Sequence, residues 1–492
     1  MNRPFKVLPG VITEQSERTV LLGTVLLVSV VSAAMGYLLT QWFAVDVISS
    51  HLANPQDCDL DWSTPVGRHC FSDYGVIVSV ATRPNPWEPY LTLPWSNQPA
   101  VNQYPAAAMI PHMLFGLPAK WLGAPLLGLM GYLLALTAAV LSPAIWAARG
   151  AAGLERVVVF VALGAAAIPA WAVIDRGNSV GFVVPIALGF LVALRRQRWG
   201  MAAGMVVLAA VIKPQFAVLV LALFAVRQWR LGGLAVAGVV ASNIGAYLLW
   251  PQSFPGTISQ SLHNIGTSGP GIADIRNVSF GRALLLLPDM VKAIQTGGKI
   301  PDGFLAGPRS LIGYAVLALI AVSLLALGRR IPPVLAGVVL LAAAVLCTPQ
   351  TNYYYLAFAL PVAAVTVRDP DGPPGAGLFD QLAVCSGRRR AVGISVTLAA
   401  ALTVAQTALP GPIGQIPVYG QHGANGVIGS VTIVQTSVFA TPFLWLIACA
   451  VIIVSFARRP AHSSGGDQVP VPESTSDIAV TTSSGASEPT TE

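Results

Sequence analysis

The chain has little charge. Of its 492 residues only 10% are Asp, Glu, Lys or Arg, whereas 54% are hydrophobic and the mean hydropathy is +0.67. An ordinary globular chain carries about 25% charged residues, and this one lacks the polar surface to coat several soluble domains of roughly 150 residues each. That shortage excludes a string of soluble domains and indicates a multi-spanning membrane protein. Five cysteines are too few for a disulfide scaffold. Lysine is scarce as well, five of 28 basic residues, as in the Ala/Gly/Val-rich chains of high-GC actinobacterial genomes. The net charge of +7 does not imply nucleic acid, because the basic residues stand in short clusters between apolar runs, where they set membrane topology.

What is present are long apolar runs. The first, about Thr19–Gln41, is long enough to cross a hydrocarbon core of about 30 Å. Arg3, Lys6 and Arg18 precede it and no small-residue cleavage site follows, so it reads as an uncleaved span. A cytoplasmic N-terminus then places the segment 42–104 outside. Keeping Arg149 and Arg156 inside then requires Pro105–Ala148 to cross an odd number of times. The sequence predicts an interfacial or re-entrant helix over Pro105–Leu122 and a span over Gly123–Ala147.

Further spans are expected at Glu155–Val173, Asn178–Leu194, Leu231–Trp250, Ser310–Leu327, Pro332–Cys347, Tyr353–Val367, Ala391–Ala408 and Gln435–Phe456. The stretch Met201–Val226 reads as two short helices broken at Lys213-Pro214, because proline ends helices and irregular backbone at depth must line a cavity. The predicted fold is all-α: a polytopic bundle of about twelve spans, with interfacial helices in a large first outer loop. The expected organisation is a cytoplasmic segment 1–18, a transmembrane domain 19–457 with its outer loop at 42–122, and a Ser/Thr/Gly/Pro-rich disordered cytoplasmic tail 458–492. Both termini lie in the cytoplasm on this reading.

A transporter usually carries ionisable residues in its spans and often internal repeats. Here the membrane interior is nearly free of charge and no repeat stands out. Polar and aromatic residues gather in the outer loops, with Trp62, Trp87, Trp95, Tyr74 and Tyr90 in the first. A site at the outer membrane face follows. No nucleotide pool exists there and no phosphate-cradling Gly loop appears, so the energy source is an activated lipid.

Particular motifs carry a resemblance. Phe71-Ser72-Asp73-Tyr74, then Asn102-Gln103-Tyr104-Pro105-Ala106, resembles the Asp-x-x-x-Tyr … Tyr-Pro-Pro pattern of GT-C glycosyltransferases that use polyprenyl-phosphate sugars. Arg176-Gly177-Asn178, Arg195-Arg196-Gln197-Arg198, Ala202-Ala203-Gly204 and Ile212-Lys213-Pro214 resemble, in order, the Arg-Gly-Gln-x-Asn … Ala-Gly … Lys-x-x-Pro stretch of glycosyltransferase family 87, and Asn277-Val278-Ser279 its Asn-x-Ser segment. The chain departs from that pattern at Thr348-Pro349-Gln350-Thr351-Asn352-Tyr353-Tyr354-Tyr355, where the family's late Ser-Pro-x-Ser-Trp-x-His-His frame has tyrosine in place of both histidines.

The resemblance implies a GT-C membrane enzyme that moves one sugar, with inversion, from a polyprenyl phosphate to a cell-envelope glycan or glycolipid. Partners are then the lipid-linked donor, the acceptor and membrane lipids, with no nucleic acid and no cofactor. Mannose is preferred to arabinofuranose by family frequency alone, and decaprenyl-phosphate-arabinose is the alternative donor. A lipid or sugar-lipid transporter without chemistry is the rival from another class.

The chemistry assigns roles. An acceptor hydroxyl needs a positioned carboxylate as general base. Asp73 is the first candidate and Asp46, just after the first span, the reserve; Asp73 reads alternatively as a helix cap and Asp46 as an interfacial acid. Lys213, Arg176, Arg276 and Arg282 are candidates for the donor phosphate, or else lipid-facing charges. Tyr74, Tyr104, Asn178, His263, Asn277, Gln350 and Tyr354 are candidates for sugar or acceptor contact, although a surface histidine and an interfacial tyrosine run are the plainer readings of His263 and Tyr353–Tyr355. Cys58 and Cys70, both in the oxidising outer loop, are expected to pair. Asp59-Leu60-Asp61 contains a D-x-D that reads as solvated loop, with no metal expected.

Overall fold

The computed structural model describes residues 15–52, 58–59, 65–67, 71–92, 99–266, 277–297, 300–301, 303–380, 390–411, 413–419 and 427–458. It is 76% helix. Helix α1 (Glu17–Phe43) starts at Ser16, whose hydroxyl caps the Thr19 N–H, and ends at Ala44 in the left-handed region. Short α2 (Val47–Leu52) follows. Next come α3 (Ser72–Ala81) and α4 (Ala106–Trp121), in the segment expected to form the first outer loop. Then come α5 (Pro125–Ala148), α6 (Gly153–Phe160), α7 (Ile168–Arg176), α8 (Val183–Arg195) and α9 (Trp199–Ile212).

Among the described residues five helices are long and apolar enough to cross a membrane: Glu17–Phe43, Pro125–Ala148, Trp229–Leu249, Ala306–Arg330 and Ser437–Ala457. They match the spans expected at Thr19–Gln41, Gly123–Ala147, Leu231–Trp250, Ser310–Leu327 and Gln435–Phe456. Most of their surface is bare within the protein; only 17% of the most apolar stretch of α1 is buried. Leu27, Val30, Leu134, Leu234, Leu311 and Val322 point outward, as apolar side chains do when lipid is the solvent.

The span expected over Glu155–Val173 is bent by 46°. A π-turn at Val161–Ala165 widens the helix, and α7 restarts with Pro169 in its first turn, where no N–H is needed. With this pair counted as one, six helices reach spanning length. The remaining apolar helices, among them Ser179–Arg195, Trp199–Ile212, Pro333–Leu346, Tyr353–Val367 and Arg390–Val404, are shorter. They pack into the centre instead: Val334 through Leu346 are all buried, and with α8 and the segment Leu356–Val367 they form the main core.

The all-α expectation fails locally. Three two-stranded antiparallel ribbons are present, the largest pairing Gly414–Tyr419 with Val427–Ile433. Ile416 and Val418 face Val431 and Ile433 on one side of it, the period-two pattern of β-branched residues that suits a strand. The chain from Met1 to Ala457 packs as one unit; the expected disordered tail lies outside the described residues after Arg458.

Ion pairs among the described residues sort by side. Arg18–Glu155, Arg390–Glu17, Arg195–Asp369 and Arg196–Asp371 join residues that the charge reading assigns to the inside, whereas Arg176–Asp73 and Arg309–Asp289 join residues assigned to the outside. None links the two groups.

Candidate active site

Two helix ends meet at Asp73. α7 stops because Gly177 turns into the left-handed region (φ +61), and a side chain there would press on the Phe71 carbonyl and on the β-carbons of Phe71 and Tyr74. Asn178 then caps the following turn, its Oδ1 accepting the Val180 N–H at 2.9 Å. Opposite, the Phe71 N–H donates to the Asp175 carbonyl at 3.1 Å, which docks the start of α3 against the end of α7. α3 buries Tyr74, Ile77, Val80 and Ala81, which leaves Asp73 in its first turn facing the α7 turn.

Asp73 is not a helix cap. The cap position is Phe71, which makes no side-chain cap bond. The Asp73 carboxylate instead accepts Arg176 Nη2 at 2.7 Å on Oδ1 and Asn178 Nδ2 at 2.5 Å on Oδ2, with the Tyr104 hydroxyl 3.4 Å from Oδ2. Asn178 Nδ2 also donates to the Tyr104 oxygen at 2.8 Å. Burial by itself pushes the carboxyl pKa up, but Arg176, Asn178 and Lys213 together hold it below its ordinary value, so Asp73 is ionised.

Tyr104 is placed by a separate aromatic cluster. Buried Trp87 donates its indole N–H to the Tyr104 carbonyl at 3.0 Å, and Trp250 donates to the Ala81 carbonyl at the end of α3. Buried Asn264 ties the Trp87 and Asn102 carbonyls together.

Lys213 completes the group. Pro214 disfavours helical backbone at the residue before it, so α9 ends at Ile212 and Lys213 is extended. Its side chain is only 5% exposed. Its ammonium lies 4.0 Å from the Tyr104 ring centre and 5.6 Å from that of Tyr355, and it forms no ion pair with the described residues. Arg176 sits 6.0 Å over Tyr354, which stacks on Tyr355 at 5.1 Å and accepts a hydrogen bond from Asn352.

The structure thus brings Asp73, Tyr104, Arg176, Asn178, Lys213, Tyr354 and Tyr355 together. Tyr74 lies just behind, its ring 4.7 Å from that of Tyr132, whose hydroxyl donates to the Gly177 carbonyl. Asn277 plays a structural part. Its amide bonds the Pro349 carbonyl and the N–H groups of Ser279 and Thr351, stitching its segment to the tyrosine run. Gln350 is half-buried in the joined turn.

Other candidates lie elsewhere in their elements. Asp46 accepts the N–H and hydroxyl of Ser49 at the start of α2, a helix-cap geometry that neither its reserve reading as a base nor its plainer reading as an interfacial acid included. Arg282 is buried in the short helix Phe280–Leu284, its N–H capped by Ser279. His263 is exposed, which fits the surface reading. Arg276, Cys70 and Asp61 lie outside the described residues, so the Cys58–Cys70 pair and the D-x-D do too. Among the described residues no group of three or more His, Cys, Asp or Glu side chains gathers to hold a metal.

One residue the motifs did not single out is His112. It is fully buried on α4, stacked on Tyr132 at 5.1 Å and edge-on to Tyr104. Burial, with Lys213 nearby, pulls its pKa to about 3, so it is a neutral prop beneath the site. A histidine on the inner face of an apolar helix gives no sequence signal of such a role.

The family model of glycosyltransferase family 87 matches residues 103–349, half of the chain. The matched region holds Tyr104, Arg176, Asn178, Lys213 and Asn277; Asp73 precedes it and Tyr353–Tyr355 follow it. No curated protein matches the chain.

Proposed function

The chain belongs to glycosyltransferase family 87, and from that membership we propose that it moves one sugar from a polyprenyl phosphate to a hydroxyl of a cell-envelope glycan or glycolipid. The observation that carries this reading is the nearness of an ionised, half-buried carboxylate, Asp73, to a buried lysine that lies against two tyrosine rings and forms no ion pair among the described residues. A buried cation is costly without a counter-ion, and the donor phosphate supplies one.

In the proposed step the acceptor oxygen attacks the anomeric carbon, the bond from that carbon to the phosphate oxygen breaks, and configuration inverts. The acceptor proton passes to Asp73. The leaving polyprenyl phosphate departs as an anion held by Lys213 and Arg176, so no acid is needed for it. Arg176 has a double part. It holds Asp73 in the resting site, and an arriving phosphate draws its charge away, which raises the basicity of Asp73 when the acceptor is bound. Tyr354 and Tyr355 offer stacked faces for a sugar ring.

The side-sorted ion pairs support the reading that leaves both termini cytoplasmic and the site extracytoplasmic. Mannose remains the preferred sugar and arabinofuranose the alternative, on family frequency. The test is to supply membranes containing the protein with radiolabelled polyprenyl-phosphate mannose and polyprenyl-phosphate arabinose. One of them should yield a labelled glycan or glycolipid that control membranes do not make. Label that stays on the polyprenol with both donors overturns the proposal.

A further inference from the structure

A cavity apart from the Asp73 group lies beside the start of α7. It is a groove of about 500 Å³, within the range of roughly 300–1,000 Å³ usual for small-molecule sites. One wall is a single stripe of α1 running from Ser29 through Ala33 and Gly36 to Gln41, about 18 Å of helix at 1.5 Å per residue. The stripe starts near the middle of the span and reaches its outer end. The opposite wall is the bent joint before α7 with Trp171, and His51 of α2 lines the groove as well. Tyr37 and Trp171 on its rim are well exposed, so the groove opens sideways, toward lipid.

The polar groups of the floor are largely satisfied internally. Ser29 bonds the Val25 carbonyl, Thr40 that of Val45, and Gln406 that of Thr403. His51 is the exception. It is 9% exposed, and both ring nitrogens are buried without a hydrogen-bond partner among the described residues. Burial pulls its pKa to about 4, so the ring is neutral, with one N–H to give and one nitrogen to receive. Such a ring is satisfied by a group that both donates and accepts. A hydroxyl does so; a phosphodiester only accepts and an ammonium only donates.

We propose that this groove seats the lipid anchor of the acceptor, a hydroxyl-headed glycolipid whose chain lies along α1 and whose headgroup meets His51. The inference rests on the glycosyltransferase reading and specifies its acceptor as membrane-anchored. The groove's Trp171 is five residues before Arg176, about 7.5 Å along α7. α7 packs on both α2 and Tyr353–Phe358, so acceptor and donor phosphate both approach along the helix that ends at Asp73.

The test uses the full-length protein in nanodiscs and two photoreactive lipids of equal chain length, a diazirine-bearing glycosyl diacylglycerol and a diazirine-bearing phosphatidylcholine, whose headgroup carries no hydroxyl. Cross-links are mapped by mass spectrometry. The glycolipid should label the segments 29–41 and 165–171 in preference. Ala33→Trp, at an exposed position of α1, should fill the groove and reduce that labelling about tenfold while the protein stays folded. His51→Phe should remove the preference for the glycolipid, a loss of about two- to twelvefold for one neutral hydrogen bond. Equal labelling by both lipids in the unmodified protein, or labelling indifferent to Ala33→Trp, overturns the proposal and makes the groove a site for bulk lipid only. Labelling needs no turnover, so its result is separate from that of the sugar-transfer assay.

Discussion

Asn178 uses both ends of its amide at once: the oxygen caps the turn after α7, and the nitrogen lies 2.5 Å from Asp73 Oδ2. The same residue that ends one secondary-structure element therefore sets the position and charge of the carboxylate on another. Asn178→Ala removes a cap and a hydrogen bond to a charged group, and should cost about 1–3 kcal/mol of stability.

Asn178→Asp separates the two roles. Aspartate caps as well as asparagine, but it sets a second carboxylate against Asp73 and raises the pKa of the pair. In the unmodified protein the Asp73 carboxyl is held below its ordinary value, about 3.9 in the unfolded chain. Its contribution to stability is therefore complete above that unfolded value and is lost as pH falls through the folded one. The acid limb of kcat/KM should lie below about pH 4 for the unmodified protein, and move upward in Asn178→Asp. Profiles that superimpose mean that Asp73 does not set the limb.

Lys213→Ala and Arg176→Ala should weaken donor use chiefly through apparent affinity. Losing a charged hydrogen bond typically costs about 1.5–3 kcal/mol, roughly tenfold to a hundredfold. The two differ in stability. Lys213→Met replaces a buried cation that lacks an ion-pair partner with an apolar chain and should leave Tm unchanged or raised, whereas Arg176→Ala strips Asp73 of its partner and should lower it. Unchanged donor kinetics in both alanine variants reduce these residues to structural charges.

Asp289 and Arg309 form a doubly bonded, fully buried pair that ties the outer helix Leu286–Gln295 to the start of the span Ala306–Leu327. Arg309→Met leaves the carboxylate buried alone and should destabilise by about 3–5 kcal/mol. The Asp289→Leu/Arg309→Met double variant should recover most of that loss. Thermal unfolding in detergent reads both.

A cysteine engineered beyond Arg459 should resist impermeant thiol reagents in intact cells and react after permeabilisation. Labelling from outside reverses the topology assigned to the whole chain.

How much was legible in the sequence depends on distance along the chain. Lys213-Pro214 and Arg176-Gly177-Asn178 act locally, through proline's effect on its neighbour and glycine's left-handed turn, so their breaks were readable. The five long spans were readable from length alone. The bend at Val161–Ile168 was not, because a π-turn follows from packing and leaves no composition signal. That Asp73 meets Asn178 across 105 residues was suggested only by family resemblance, and neutral His112 beneath them was not suggested at all. The ribbon at Gly414–Ile433 was missed for a different reason: it lies between the expected spans Ala391–Ala408 and Gln435–Phe456, in a stretch to which no element was assigned.

The most direct measurement is sugar transfer by Asp73→Asn, assayed with whichever radiolabelled polyprenyl-phosphate sugar the unmodified protein uses. Asparagine keeps the size of the side chain and one carbonyl acceptor for Arg176 or Asn178, but it cannot take a proton. The account predicts a folded protein that still binds the donor and turns over about 10²–10⁴-fold more slowly, the usual contribution of a positioned base. Near-normal transfer by a well-expressed Asp73→Asn protein would contradict it, and would pass the role of base to Asp46.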